Sequence, residues 1–513
     1  MKQRLTIYLE AQLIISIQDI KDLKNGSDIF LVIRNRFEYK NPKFIENEKW
    51  GYSNYGIPKK LLTYITDDEG NIRIARGGKE KLEQILGNFD VECNFIDRML
   101  VLPTIHHKTS NLTLREDQEE FVQEMLKHNQ GSSMCFTSFG KTLANLELWR
   151  RIGQPGLIIV HTTFLQEQWI QEATNPKTFN LDPQRIGGVG GIFKGKRKLG
   201  DLNICLYHSL SKEDHLEFFM PRVGFVFFDE GQKSPIEDVS NTVNNFRAKY
   251  RYTSSANLKR KDGKEFITFD TFGPVRYIAE EKNGDSKILS LISLVPTSYY
   301  DQSYDDNRNF SQFITKASRD QKRNILICRR AIKKIREGKL VLIMVERKEH
   351  AAVLYLMLSK FKGDLLLGGG GTNDATVTNK KVLQVLKDYE DDTAYKRISK
   401  LAKTKKLQFI IGTQKAEVGL SIRTIDHAII TTPTGNNLER FNQQKGRVER
   451  TYDEETEVFF GHKKPVPTID VLVDDNDISQ RAANRIKEKY KNHVSWLKKD
   501  SVNKVILKKR EIE

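Results

Sequence analysis

The chain has 513 residues, of which 38% are hydrophobic, and a formal net charge of +17. Its length exceeds what one hydrophobic core supports and suits about three domains, and no apolar run approaches the ~20 residues that cross a bilayer, which argues against a membrane protein. The excess of lysine and arginine favours a polyanionic partner, because basic side chains on phosphates release condensed counterions. A basic surface that serves only solubility is the alternative.

The first 108 residues are expected to form a small α+β domain. Apolar patterns predict strands at 5–9 and 29–33, and helical spacing predicts a helix at 79–86. Its aromatic and basic side chains either contact nucleic acid, by stacking on bases and binding phosphates, or pack in a small core. They are Phe37, Tyr39, Lys40, Trp50, Tyr52, Tyr55, Lys59 and Lys60.

Two later regions alternate apolar strands with helical sequence, which is typical of parallel sheets covered on both faces. The predicted strands lie at 157–160, 204–207 and 223–228 in the first region, and at 340–345, 409–411, 428–430 and 469–473 in the second. The polar stretch 278–309 between them predicts a hinge, and residues 481–496 predict a basic helix. Four scattered cysteines without a C-x-x-C pair, and an N-terminus without an apolar signal core, predict a cytoplasmic protein.

A phosphate-binding loop is indicated where Gly140, Lys141 and Thr142 precede a helix start. A triphosphate requires backbone N–H groups at a helix N-terminus, a lysine for the β and γ oxygens, and a hydroxyl group for Mg²⁺. The first glycine of the usual pattern would fall at Cys135 and is absent. Taken alone, the segment also suits a surface turn.

An apolar strand ends in the carboxylates of Asp229 and Glu230. The strand carries Asp229 to the C-terminal edge of the sheet, where ligands bind in α/β folds. Asp229 can then hold Mg²⁺ through water while Glu230 orients or deprotonates an attacking water. The alternative is an ordinary acidic turn after a strand.

Residues 443–450 follow the pattern Q-x-x-G-R-x-x-R, with Arg447 and Arg450 as its arginines. A guanidinium group can neutralise charge on a transferred phosphoryl group. If Lys141 and these arginines lie on different sheets, ATP bridges a cleft that hydrolysis opens. The alternative for the arginines is a salt-bridged helix face beside Glu439 and Glu449.

In this order the segments resemble the superfamily-two helicases, and most closely the phage branch-migration helicases of the UvsW type, which are akin to XPB-like enzymes. The T-S-x-G-K-[ST] form of the phosphate loop, a K-D-G-K turn at 261–264 and the small N-terminal domain support that likeness. The chain departs from the family at Gln232, where histidine is usual, and at Ser421, where aspartate is usual.

The resemblance implies an α/β fold of two RecA-like parallel-sheet lobes, at 109–285 and 286–480, after a small α+β N-terminal DNA-binding domain at 1–108 and before a basic helical tail at 481–513. It implies ATP and Mg²⁺ as cofactors, with Thr142 and Asp229 on the metal. Glu230, Gln232, Arg447 and Arg450 form the implied catalytic set. The implied nucleotide-binding residues are Arg115, Gln118, Ser138, Gly140, Lys141, Thr142, Asp229, Gly419 and Gln443. The implied nucleic-acid contacts are Thr162, Thr163, His208 and Thr413. The glycine clusters at 187–191 and 368–371 are interpreted as loops, the first close to DNA.

The sequence therefore predicts an ATP-dependent DNA helicase or translocase that remodels forked and branched DNA in replication, recombination or repair. It is expected to act as a monomer, in the host cytoplasm if a phage encodes it. Three alternatives stay open: the translocase subunit of a restriction system, an RNA helicase, and a nucleotide-gated DNA-binding protein without turnover.

Overall fold

The protein is described from a computed structural model. The described residues are 3–106, 111–136, 139–230, 236–260, 262–279, 289–301, 310–368, 379–389, 394–413, 422–432, 438–452 and 454–497. The chain divides into two compact units, Met1–Glu281 and Lys282–Glu513. No helix in the ranges above is both long enough and apolar enough to cross a membrane.

The first unit begins with a mixed sheet of the order β5-β6-β2-β1-β7. Its strand β1 alternates buried and exposed residues, so that Leu5, Ile7 and Leu9 enter the core. The strands of this region are β1 (Gln3–Leu9), β2 (Gln12–Ser16), β3 (Glu38–Lys40), β4 (Lys60–Leu62), β5 (Tyr64–Thr66), β6 (Asn71–Ala75) and β7 (Val91–Asp97). The helices are α1 (Ile17–Lys21), α2 (Gly26–Arg36), α3 (Pro42–Trp50) and α4 (Lys79–Gly87). Strands β3 and β4 form a separate antiparallel pair.

Two sequence predictions for this region have different outcomes. The helix at 79–86 is confirmed by α4, and the strand at 29–33 is wrong because those residues lie inside α2. The apolar run is compatible with either element, since short runs carry no clear period. The helix buries Ile29 and Ile33, which are four residues apart on one face, and leaves Leu31 54% exposed.

The first unit also contains a parallel sheet of the order β10-β11-β9-β12-β13-β8-β14. Apolar side chains cover both faces, which explains why β9 and β12 are fully buried runs. The strands are β8 (Gln130–Met134), β9 (Gly156–Val160), β10 (Ile186–Gly187), β11 (Leu202–Leu206), β12 (Phe225–Asp229), β13 (Tyr250–Ser255) and β14 (Val275–Ile278). The helices are α5 (Glu116–Leu126), α6 (Lys141–Ile152), α7 (Thr163–Thr174), α8 (Tyr207–Leu210), α9 (Glu213–Phe219), α10 (Ile236–Val243) and α11 (Glu265–Phe272).

The second unit is built on another parallel sheet, of the order β17-β18-β16-β19-β20-β15-β21. Its strands are β15 (Leu291–Pro296), β16 (Leu340–Met344), β17 (Gly363–Leu366), β18 (Phe409–Gly412), β19 (Ile425–Ile430), β20 (Thr468–Val473) and β21 (Val494–Trp496). Its described helices are α12 (Phe310–Arg319), α13 (Gln321–Arg336), α14 (Lys348–Met357), α15 (Lys380–Asp388), α16 (Ala394–Lys403), α17 (Leu438–Lys445), α18 (Glu454–Phe460) and α19 (Asp477–Lys489). The predicted fold class, two RecA-like parallel sheets after a small α+β region, is confirmed.

Two predictions at the ends of this unit need correction. The stretch 278–309, predicted as a polar hinge, contains the strand β15, and this strand pairs with β20. The helix predicted at 481–496 ends at Lys489, and Val494–Trp496 forms the edge strand β21. The strand pairs with β15 over Ile292 to Leu294, so that tertiary pairing overrides the helical pattern of the sequence.

The mixed sheet packs directly on the first parallel sheet. Asp270 of α11 is only 4% exposed and accepts hydrogen bonds from Tyr39 (2.6 Å), Thr63 (2.7 Å) and Lys81 (2.8 Å) of the mixed-sheet region. The ring of Tyr39 also stacks on Phe266 at 3.8 Å between centroids. A buried carboxylate with three donors is strongly favoured, so this contact joins the two sheets firmly.

Two buried arginines cross the same junction. Arg76 donates to the carbonyls of Glu10 and Lys249, and Arg251 donates to the carbonyls of Ala11 and Phe246. Burial lowers the pKa of Arg76 to about 10 and also lowers the pKa of Arg251. A buried guanidinium group needs hydrogen-bond acceptors, and backbone carbonyls provide them for both arginines.

The closest approach at this junction is between backbones. A Cβ atom on Gly77 would lie 2.4 Å from the amide nitrogen of Gly273 and 2.4 Å from the carbonyl oxygen of Phe269. Only glycine fits at such a crossing.

Candidate functional site

The candidate nucleotide site of the first unit lies where four neighbouring strands end. Strands β9, β12, β13 and β8 are adjacent and parallel, so their carboxyl ends meet at one edge of the sheet. Asp229 ends β12 in register with Ser254 of β13, and the segment after β8 leads to Gly140 at the start of α6. The phosphate loop and the acidic pair therefore occupy the same edge.

Lys141 and Glu230 meet in this site. The Nζ atom of Lys141 donates to Oε1 of Glu230 at 2.7 Å, although 89 positions separate the two residues. Burial by itself lowers the pKa of Lys141, but the carboxylates of Glu230 and Asp229 outweigh it and leave that pKa raised. The ammonium group of Lys141 therefore stays charged.

Position 140 requires a glycine for two reasons, the conformation of its backbone and the atoms that lie close to it. Its φ angle is +83°, in the left-handed region, and a Cβ atom there would lie 2.4 Å from Nε2 of Gln118. Gln118 and Arg115 both donate to the carbonyl of Phe139, at 2.7 and 2.8 Å. Two of the predicted nucleotide-binding residues are thus fastened to the loop predicted to bind phosphate.

Trp169 is a site residue whose contact with Asp229 the sequence did not predict. Its indole Nε1 donates to Oδ2 of Asp229 at 2.8 Å, and both side chains are buried. The bond orients the carboxylate from the side of α7. Sixty positions separate the two residues, so no local pattern could have revealed the contact.

Glu230 has a strained backbone. Its φ angle is +58°, in a region that non-glycine residues seldom adopt, and its N–H group donates to the carbonyl of Ser254 at 3.2 Å. Strain of this kind costs about 1–3 kcal/mol and clusters at functional sites. It turns Glu230 out of the line of β12 toward Lys141.

The predicted nucleic-acid contacts of the first unit lie on two helices at the sheet edge. Thr162 caps α7 by accepting a hydrogen bond from the Leu165 amide at 3.2 Å, and Thr163 is the first residue of that helix. His208 is exposed on α8.

The first glycine cluster packs against these same helices. A Cβ atom on Gly190 would lie 2.2 Å from Oγ of Ser209, and one on Gly191 would lie 3.1 Å from Oγ1 of Thr163. Gly187 ends strand β10 and Gly191 begins a short 3-10 turn, so the loop predicted at 187–191 is confirmed only for the residues between them. The cluster adjoins the residues predicted to contact DNA.

In the second unit, the arginine segment follows helix α17. Gln443 lies in that helix, Arg447 is buried in the turn after it, and Arg450 is half-buried. Glu449 accepts hydrogen bonds from Lys445 at 2.6 Å and from the amide and hydroxyl groups of Ser290 at 2.9 and 2.8 Å. These bonds fix the turn to the residue before β15.

Lys464 is a second residue that the sequence did not single out. Its Nζ atom donates to the carbonyls of Arg423 at 2.7 Å and Val448 at 2.8 Å, so it supports the arginine turn from within. Burial lowers the pKa of Lys464 to about 7, against the attraction of Asp426 and with the repulsion of Arg450 and Arg423.

Thr413 is buried at the end of β18. Its hydroxyl group accepts a hydrogen bond from the amide of Gly368 at 2.8 Å. Three further predicted site residues, Ser138, Gln232 and Gly419, lie outside the described residues, as do residues 369–371 of the second glycine cluster.

Comparisons with known proteins agree with the motifs. The family described as "Helicase conserved C-terminal domain" matches residues 321–452. The protein named "DNA 3'-5' translocase XPB2" of Sulfurisphaera tokodaii is 32% identical over 189 residues, which are 37% of this chain and 40% of that protein. A protein of Acanthamoeba polyphaga mimivirus, named "Putative ATP-dependent RNA helicase", is 22% identical across 98% of this chain and 91% of its own length.

Two solved structures align with this chain. Dbp5 of S. cerevisiae bound to RNA and ADP BeF3 aligns with a TM-score of 0.51 and 11% identity, covering 76% of this chain and 93% of that chain. T4 UvsW aligns with a TM-score of 0.41 and 14% identity, covering 96% of this chain and 99% of that chain. The resemblance to superfamily-two helicases is confirmed, although the alignment with the Sulfurisphaera translocase spans only 40% of that relative's length.

Proposed function

We propose that this chain is an ATP-dependent DNA helicase or translocase that unwinds or branch-migrates forked and branched DNA. The observation that carries the proposal is the 2.7 Å contact between Lys141 and Glu230, beside Asp229, at the carboxyl edge of a parallel sheet. A lysine for phosphate and a carboxylate for water stand in one place, as hydrolysis of a nucleoside triphosphate requires.

The residues of this edge suit ATP with Mg²⁺. Thr142 and Asp229 supply the hydroxyl and carboxylate oxygens that Mg²⁺ prefers, and the metal supplies charge neutralisation at the phosphates when it is bound. Lys141 would exchange its contact with Glu230 for phosphate oxygens. Glu230 is then released to hold and deprotonate the attacking water. Gln118 and Arg115 would position the nucleotide base next to the same loop.

The guanidinium groups of Arg447 and Arg450 would neutralise the charge that develops on the transferred phosphoryl group. The proposed nucleotide-binding and catalytic set is completed, by position in the motifs, with Gln443, Ser138, Gln232 and Gly419. The nucleic-acid backbone would be contacted by Thr162, Thr163, His208 and Thr413. The mixed sheet would recognise duplex or junction DNA. We further propose domain limits at 108 and 285, action as a monomer, and a cytoplasmic location.

The decisive experiment measures phosphate release with single-stranded, duplex, forked and four-way DNA, for the wild type beside Lys141→Ala and Glu230→Gln. We expect DNA to stimulate the wild type, most strongly when the DNA is forked or branched. We expect both variants to lose at least about 100-fold in turnover, because each removes a group that acts in the reaction. ATP binding without phosphate release by the wild type would instead identify a nucleotide-gated DNA-binding protein.

An RNA helicase is the second candidate, because the mimivirus relative that spans 98% of this chain carries that name. Stimulation by RNA of matched sequence and structure separates the two candidates. Displacement of a third strand without unwinding of forks would favour a duplex translocase of the restriction type.

A further inference from the structure

Three large aromatic side chains protrude from one short segment of the mixed-sheet region. Trp50 is 61% exposed, Tyr52 is 51% exposed and Tyr55 is 97% exposed. We define the aromatic platform as residues 41–59, which join strand β3 to strand β4. Exposed aromatic clusters are unusual in soluble domains and mark interaction sites.

The structure separates these residues from the other aromatics of the region. Phe37 is fully buried in the core, and Tyr39 is held between Phe266 and Asp270. Core packing therefore explains Phe37 and Tyr39. It does not explain Trp50, Tyr52 or Tyr55.

The platform has a fixed conformation. Asn47 is 4% exposed and donates to the carbonyl of Ser53 at 3.1 Å, while Asn41 is 3% exposed and donates to the carbonyl of Pro58 at 2.9 Å. The amide of Tyr52 donates to the carbonyl of Asn47 at 2.8 Å, and Gly51 ends α3 with a φ angle of +68°. The aromatic rings are thus presented on an ordered support, which reduces the entropy lost on binding.

The platform and the two strand residues that flank it, Lys40 and Lys60, together form a basic segment. Residues 40–60 contain five lysines and two glutamates, a net charge of +3. The lysines, all exposed, are Lys40, Lys43, Lys49, Lys59 and Lys60. Lys49 lies 5.6 Å from the centre of the Trp50 ring. Lysines interleaved with exposed rings fit a strand whose bases stack and whose phosphates are anionic.

The base of the platform is anchored at both ends. Tyr39 and Thr63, which flank it, both donate to Asp270 of α11, and Gly263, just before α11, faces Pro42 at the start of α3. A strand bound to the platform is therefore held at a constant position relative to the first parallel sheet.

We infer that the aromatic platform binds unpaired nucleotides by stacking their bases on Trp50, Tyr52 and Tyr55, with the lysines on the adjoining phosphates. The inference rests on the proposed action on nucleic acid. To the duplex or junction DNA proposed for the mixed sheet it adds unpaired nucleotides, bound by the platform between β3 and β4. Forked DNA presents such unpaired bases and blunt duplex does not.

The test compares two probes of about 20 nucleotides, an oligothymidylate and an abasic oligonucleotide with the same backbone, on the full-length protein. Fluorescence anisotropy gives the Kd of each probe for the wild type and for Trp50→Ala/Tyr55→Ala. We expect the preference of the wild type for the oligothymidylate to fall by about tenfold or more in the variant, since each stacked base contributes that order of affinity. Trp50→Phe/Tyr55→Phe should restore most of the preference.

The matched control is Tyr300→Ala/Phe459→Ala, which removes two exposed aromatics of the second unit, 62% and 57% exposed. It should leave the preference unchanged. If the wild type prefers oligothymidylate and the platform variant keeps that preference, the inference is wrong while the proposed function stands. If the platform variant instead converts a dimer to a monomer with the same DNA affinity, the surface binds protein. Failure of the wild type to bind either probe would contradict the proposed function itself.

Discussion

Trp169 holds the carboxylate that the proposed mechanism gives to the metal. Its N–H group is one of the donors that keep Asp229 aligned with the end of β12. Loss of a hydrogen bond to a buried charged group costs about 1.5–3 kcal/mol and frees the carboxylate to rotate. Trp169 is thus a positioning residue.

We predict that Trp169→Phe raises the Mg²⁺ concentration for half-maximal ATPase activity several-fold and lowers kcat by about tenfold. The matched control is Trp149→Phe, because Trp149 is equally buried and donates its indole N–H to the carbonyl of Gln154 at 2.8 Å. Both variants should lose stability, and only the first should change the Mg²⁺ dependence. An equal shift for both would show that Trp169 acts only through packing.

The lowered pKa of Lys464 predicts that the stability of the folded protein depends on pH. Its pKa in the folded protein is about 7, below its ordinary value of 10.5, so the unfolded chain binds more protons between these two values. Stability contributed by this group therefore rises with pH across that window and is constant below it. The groups that face the amine are Asp426, Arg450, Arg423 and Glu449.

The measurement is urea unfolding of the wild type and Lys464→Met at pH 7.5 and pH 9. We expect the free energy of unfolding of the wild type, relative to the variant, to increase by about 2 kcal/mol between these values. A difference that does not depend on pH would mean that Lys464 stays charged in the fold.

At the scale of elements, α11 joins the mixed sheet to the first parallel sheet through Asp270. We predict that Asp270→Asn destabilises the first unit by about 2–4 kcal/mol, because it leaves the half-buried ammonium group of Lys81 without a charged partner. Urea unfolding of residues 1–281 measures the effect. The control is Glu92→Gln, which removes an exposed pair with Arg4 at 3.0 Å and should change little. An unchanged midpoint for Asp270→Asn would show that apolar contacts alone hold the two sheets together.

The sequence predicts the elements best where a pattern has one physical interpretation. The apolar runs of β12 and β16 recur between helical segments, and that alternation indicates buried parallel strands, so the two parallel sheets follow from it. The run at 29–33 has two interpretations, and packing of Ile29 and Ile33 decides for the helix. Strand β21 is short and forms only because β15 provides an edge, which no local pattern contains.

The sequence indicated which residues belong to the candidate site, but it did not indicate which of them contact each other or which further residues support them. Lys141, Asp229 and Glu230 stand out because phosphate chemistry demands their side chains at strand ends and helix starts. A tryptophan in a sequence usually indicates a core position, and a lysine usually indicates the surface. Only the fold brings Trp169 to Asp229 and Lys464 to the carbonyl of Val448. The left-handed φ angle of Glu230 was equally invisible, since glutamate has no preference for it.

At the scale of the molecule, the proposed chemistry is divided between the two units. Lys141 and Glu230 belong to Met1–Glu281, and Arg447 and Arg450 belong to Lys282–Glu513. We predict that residues 1–281 alone bind a fluorescent ATP analogue and hydrolyse ATP at least about 10³-fold more slowly than the whole chain, the usual contribution of such arginines. Full-length Arg447→Ala/Arg450→Ala should show a similar loss. Substantial turnover by the fragment would remove the arginines from the mechanism.

The close backbone crossing at Gly77 limits how this protein can be rebuilt. A foreign recognition module fused ahead of the first parallel sheet would bring a side chain into a gap that admits none, and the graft would be pushed away from α11. Exchange of modules between related proteins should therefore succeed only when the transplanted piece carries a glycine at the position of Gly77.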